Sequence, residues 1–148
     1  MKTEVDARLF ADEWALYRLA SLYARAMDRN EPEILDGIFT EDAVIHTPSF
    51  QVQGIAKIRG LPAMLKERYA NTTHSVCNQT VTIDGDGAAG ETYCLGHLVS
   101  VAPRGGEFVL VEAVRYQDQW VRKAGTWRFS QRRIVVDFSE IRPVRLNK

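Results

Sequence analysis

From residue 71 onward the chain is a succession of long runs rich in Val, Thr, Ile and aromatic residues. They read "HSVCNQTVTI", "AAGETYCLGHLVSVA", "EFVLVEAVRYQDQWVR" and "TWRFSQRRIVVDF". The clusters "DGDG", "PRGG" and "KAG" separate them, and each is too short for anything but a tight connection between antiparallel neighbours. This spacing predicts a four-strand meander, the feature that most restricts the fold.

The first half has a different period. In "DARLFADEWALYRLASLYARAMD", Leu16, Leu19, Tyr23 and Ala26 form a helical stripe that should end near Asp28–Asn30. Pro32 suits the first turn of a short helix through "EILDGIF", with Asn30 as its expected cap. "DAVIHTP" reads as a short strand ended by Pro48. "IAKIRGLPAMLKERYA" reads as a further helix, weakened at its start by Gly60 and Pro62. Helices first and strands later imply an α+β fold, with helices packed on one face of a curved antiparallel sheet. No repeat or linker divides the chain, so residues 1–148 are expected to form one domain.

Charge excludes several functions. The 19 basic and 19 acidic residues cancel, and no basic patch or like-charge run marks a nucleic-acid partner. The N-terminus "MKTEVDARLF" has no apolar core of signal-peptide length, and no membrane span is apparent. A cytoplasmic protein is expected. Cys77 and Cys94 form no metal or redox motif. His46, His74 and His97 are widely separated, with no ligand spacing around them, so no metal is expected; "GDGAAG" reads as a hairpin turn rather than a phosphate loop, and no cofactor is expected.

The candidate chemistry centres on "TTHSVCN", residues 72–78. With Gly85 and Asp86 at the tip of the "DGDG" turn, His74 falls opposite His97, Asn78 opposite Tyr93, and Cys77 opposite Cys94 on the other face. Two histidines, an amide and a phenol would then share one face of the sheet. A bulge would flip part of this pattern. His46, just before Thr47 and Pro48, is a candidate at the pocket rim.

The segments "YARAMDRNEPEILDGIFTEDAVI", "IAKIRGLPAML", "THSVCN" and "KAGTWRFSQRR" resemble the SnoaL-like group of the nuclear transport factor 2-like superfamily, from about residue 8 to about residue 138. The resemblance implies a cone of helices against a bent sheet, with a pocket at its open end. Three enzymes of the group share parts of the pattern. Scytalone dehydratase is similar in a helix-end aspartate and two strand histidines, matched by Asp28, His74 and His97. Bile acid 7α-dehydratase is similar in a tyrosine ahead of that aspartate, matched by Tyr23. Hexachlorocyclohexane dehydrochlorinase is similar in "CLGHLV" and "WRFSQR", and its aspartate, histidine and arginine match Asp28, His74 and Arg132. This chain has Tyr23 and His97 where that enzyme has lysine and asparagine, which weighs toward loss of water over loss of halide. The ketosteroid isomerase base would fall near Thr47, which cannot serve as a carboxylate.

The resemblance therefore implies a cofactor-independent dehydratase acting on a mostly apolar cyclic hydroxyketone or polyphenol. His74 would be the base, since imidazole titrates near neutrality, and Asp28 would fix its tautomer. Tyr23 and His97 would polarise the substrate or act as acid, with Arg132, Asn78, Tyr93 and His46 in binding roles. Each residue also has a purely structural alternative: a solvated Asp28, a core Tyr23, an arginine lying along the sheet. By alternation Arg132 shares a face with Ile134 and Val136, and Arg133 one with Trp127 and Phe129, which leaves open which arginine faces the pocket. A binding module without catalysis, or a dehydrochlorinase or isomerase using the same dyad, stands as the alternative. "EFVLVEAVRY" is apolar on both strand faces, which suits self-association as a dimer or trimer.

Overall fold

The strand-rich half becomes, in a computed structural model, β3 (Asn71–Asp84), β4 (Gly87–Val101), β5 (Glu107–Lys123) and β6 (Thr126–Val144), each antiparallel to the next. The structure describes residues 2–147, with side chains from residue 7. The turns behave as their composition demands. Gly85 has φ 58°, while Ala124 and Gly125 have φ 49° and 76°, so the β5–β6 loop takes two left-handed residues.

Upstream lie α1 (Lys2–Arg29), α2 (Glu33–Ile38), β1 (Phe39–His46), β2 (Gln51–Gln53), α3 (Ile55–Ile58) and α4 (Leu61–Arg68). The expected helix from Ile55 is broken in two at Gly60. The sheet order is β2-β1-β6-β5-β4-β3. It is mixed rather than purely antiparallel, because β1 runs parallel to β6, and it does not close into a barrel. That parallel pair is made by a long crossover through the whole β3–β5 meander, so no local turn signal announces it.

The stripe on α1 is buried: Leu16 and Ala26 are fully covered, and Leu19 and Tyr23 nearly so. They pack with Leu35, Phe39, Trp120 and Phe129 between helix and sheet. Asn30, expected to cap α2, instead ends α1. It is left-handed (φ 53°), and the Glu31 N–H donates back to the Ala26 carbonyl at 3.0 Å. Polar ties set the helix on the sheet. Asp12 accepts from Trp127 Nε1 (2.8 Å) and from Arg122 (2.8 Å), which also holds the β3–β4 turn through Asp86.

Two of the register shifts in the sheet reset the faces of the candidate residues. The β3–β4 register matches the expected one from Asp84↔Gly87 to Gln79↔Thr92, then slips by one residue at Cys77–Asn78. Beyond the slip His74 pairs with Gly96 and Thr73 with His97. His97, Tyr93 and the exposed Asn78 therefore do not join His74, and Cys94 lies opposite Val76 rather than Cys77. The two cysteines are free thiols. A second bulge, at Gln119/Trp120, puts Trp127 and Phe129 on the inner face with Arg132, while Arg133 faces out. One extra residue inverts a period-2 pattern, which is why His74 does not meet His97, Cys77 does not meet Cys94, and Trp127 and Phe129 share a face with Arg132 instead of Arg133.

Candidate active site

The last turn of α1 crosses the first half of β3, and there Asp28 meets His74. The Asp28 carboxylate accepts three hydrogen bonds: from His74 Nδ1 at 2.6 Å, from the His74 backbone N–H at 2.8 Å, and from the Thr72 hydroxyl at 2.9 Å. Thr72 and His74 point the same way because they are two apart on a strand. The side chains of His74 and Asp28 are 12% and 17% exposed, which keeps the pair largely out of solvent. Burial raises the Asp28 carboxyl, but donation from the His74 ring, the His74 backbone and Thr72 outweighs it and holds the group below its usual range. An ionised carboxylate only accepts, so the proton of a neutral His74 sits on Nδ1, and the Nε2 lone pair is free to act as a base.

His74 borders a cavity of about 320 Å³, a size that suits a small ring. Its wall is mostly apolar: Met27 from α1, Ile45 from β1, Met64 and Leu65 from α4, and Leu98, Val114, Ile134 and Val136 from the sheet. Thr47, Pro48, Ser49 and Phe50 of the β1–β2 turn close one side, shaped by the Thr47 hydroxyl, which accepts from the Phe50 N–H at 2.9 Å. A broader groove elsewhere is edged by Glu41, Asp42, Lys123 and Arg128 and contains no histidine.

Tyr23 and Tyr116 present their rings to the cavity, edge to face, with centroids 5.8 Å apart. Burial raises both phenols, so each is a neutral hydroxyl. Arg132 lies behind them. Its guanidinium is fully buried, paired through two 2.8 Å bonds to Asp118, and stacked 4.4 Å from the Tyr23 ring and 4.0 Å from the Tyr116 ring. Burial disfavours its charge, but Asp118 restores it, so Arg132 remains a cation. It does not line the pocket, contrary to expectation. It braces the two tyrosines from beneath.

Of the expected residues, His74 and Tyr23 line the cavity, Asp28 stands behind His74 as its hydrogen-bond partner, and His97, Asn78, Tyr93, His46 and Arg132 are absent from the wall. His46 alternates with Ile45, so it faces away from the cavity, in register with Arg133. Tyr116 and Glu112 line the cavity, although the sequence pattern did not single them out. Their signal is the alternation Leu110, Glu112, Val114, Tyr116, one polar group in an otherwise apolar strand face. Among the described residues no group of three His, Cys, Asp or Glu side chains gathers at metal-binding distance.

The profile of the SnoaL-like domain matches residues 8–133. The uncharacterized protein Rv2910c of Mycobacterium tuberculosis is 27% identical over 124 residues, covering 82% of this chain and 83% of that protein. Two solved structures share the fold. The Kfla4162 protein from Kribbella flavida superposes with TM-score 0.81 at 20% identity, over 89% of this chain and 95% of that one. Hexachlorocyclohexane dehydrochlorinase LinA-type3 from Novosphingobium barchaimii LL02 superposes with TM-score 0.79 at 18% identity, over 94% of each chain.

Proposed function

Because this chain belongs to the SnoaL-like domain family, whose fold hosts many chemistries, we propose its activity from its own site: a cofactor-independent lyase that removes water from a mostly apolar cyclic hydroxyketone or polyphenol. One observation supports this above the rest. A carboxylate held by three donors fixes His74 with its basic nitrogen free, beside an apolar cavity.

The neutral His74 takes the proton from the carbon next to the carbonyl, and Asp28 stabilises the resulting imidazolium. The electron pair of the broken C–H bond forms the new double bond as the C–O bond breaks. The hydroxyl leaves as water with a proton from Tyr23, and the imidazolium returns its proton to the tyrosinate. The apolar wall strengthens these interactions by excluding water.

The test is a panel of cyclic β-hydroxyketones followed by the ultraviolet absorbance of the conjugated enone. Enone formation by the wild-type protein is expected. Saturable binding of the ketones without turnover would replace this reading with that of a binding module.

A further inference from the structure

Two glycines in β4 pose opposite problems. A Cβ on Gly90 would collide with the Thr80 carbonyl oxygen and with Val81, so packing alone accounts for that glycine. A Cβ on Gly96 would meet nothing within 4 Å, and its backbone is in no conformation reserved for glycine. A glycine inside a strand is otherwise unfavourable, because it packs nothing and loses more entropy on folding. Gly96 lines the cavity, so the feature that its missing side chain preserves is empty space.

The register shows what borders that space. Gly96 pairs with His74 on one side and with Glu112 on the other. The three residues form one row across β3, β4 and β5, all on the cavity face. The outer two are separated by two strand spacings, about 10 Å. Among the described residues the half-buried Glu112 carboxyl makes no hydrogen bond or ion pair, although it sits in a largely apolar wall. In its ionised form such a group only accepts hydrogen bonds.

We propose that Glu112 is a specificity-determining residue that accepts a hydrogen bond from a hydroxyl on the far side of a six-membered ring, with Gly96 as the flat floor beneath the ring and His74 at its near side. The proposal rests on reading the cavity as the substrate site, but not on the elimination itself. The span fits one ring with a polar group at each end: too short for two rings in line, too long for an acyclic two-carbon unit. The substrate class narrows accordingly to cyclic ketones with a second hydroxyl across the ring from the carbonyl end.

Binding separates this from the proposed chemistry. Cyclohexanone and 4-hydroxycyclohexanone differ by that one donor, and their affinities can be compared by NMR titration of the full chain. A hydrogen bond to a charged acceptor is worth about tenfold or more. The wild-type protein is therefore expected to prefer the hydroxylated ring by that factor, and Glu112→Leu to abolish the preference. Gly96→Val should exclude both ketones while the melting temperature stays at or above that of the wild type, since the added side chain enters open space. Equal or undetectable binding of the two ketones by wild type would overturn the proposal, as would a preference that survives Glu112→Leu, or a Gly96→Val variant that binds as wild type does. Failure of the dehydratase reading would appear instead as an absence of turnover alongside an intact binding preference.

Discussion

Asp28→Asn changes one atom of the dyad and leaves no good arrangement. Oδ1 of Asp28 accepts from His74 Nδ1 and from Thr72, while Oδ2 accepts from the His74 backbone N–H. An asparagine with its oxygen in the first position turns its NH2 toward the backbone N–H, donor against donor. Flipped, it donates to Nδ1 and drives the ring proton to Nε2, which removes the base. Each lost charge-assisted hydrogen bond is worth about 1.5–3 kcal/mol, and the pair is mostly buried, so solvent screens it little. The expected destabilisation is about 2–3 kcal/mol, or about 5–10 °C in melting temperature for a chain of this size. Loss of the correct tautomer is expected to lower turnover by about 10²–10⁴-fold. Calorimetry reads the first effect, and the ¹⁵N shifts of the His74 ring read the second directly. A variant that melts with the wild type and keeps its proton on Nδ1 would refute the reasoning.

Other perturbations probe the surroundings. Arg132→Met leaves the fully buried Asp118 carboxyl without the two bonds that satisfy it, so a loss of about 3–5 kcal/mol is expected in urea melts, with recovery when Asp118→Leu is added. Tyr23→Phe keeps the ring packed against Phe39 and Tyr116, so stability should change by no more than about 1 kcal/mol while turnover falls about 10–100-fold; unchanged turnover would remove the hydroxyl from the chemistry. Acid should destabilise the fold. Asp28 and Asp12 both titrate below their ordinary range when folded, so the unfolded chain binds more protons as pH falls through about 4, and their contribution disappears below the folded values. Urea midpoints between pH 6 and pH 2 would show this, and Asp28→Asn should flatten the profile.

Periodicity was enough to locate the α1 stripe, the meander and its turns, because helical and strand periods dictate which residues can be buried together. Tyr23 and His74 could be placed because each lies close to a firm landmark, the buried stripe and the strand before "DGDG"; Asp28 lies at the end of α1, but its pairing with His74 was implied only by the family resemblance. His97 could not, since its face depends on whether one residue bulges between Val76 and Gln79, and nothing local in "SVCNQT" declares a bulge. Alternation left open which of Arg132 and Arg133 turns inward, because the answer depends on the register shift at Gln119/Trp120, and the partner of Arg132, Asp118, comes from the neighbouring strand. Glu112 stands out as the one carboxyl among Leu110, Val114 and Tyr116, but in a strand apolar on both faces that pattern does not say which face meets a cavity. The parallel pairing of β1 with β6 has no local signal either: it is set by tertiary closure rather than by a turn.

The proposed elimination depends above all on His74 as the base. The direct measurement is the rate of enone formation from a turned-over hydroxyketone by wild type and by His74→Ala, each first shown by circular dichroism to be folded. A fall of about 10²-fold or more is expected in the variant if His74 is the base. Equal rates would contradict it.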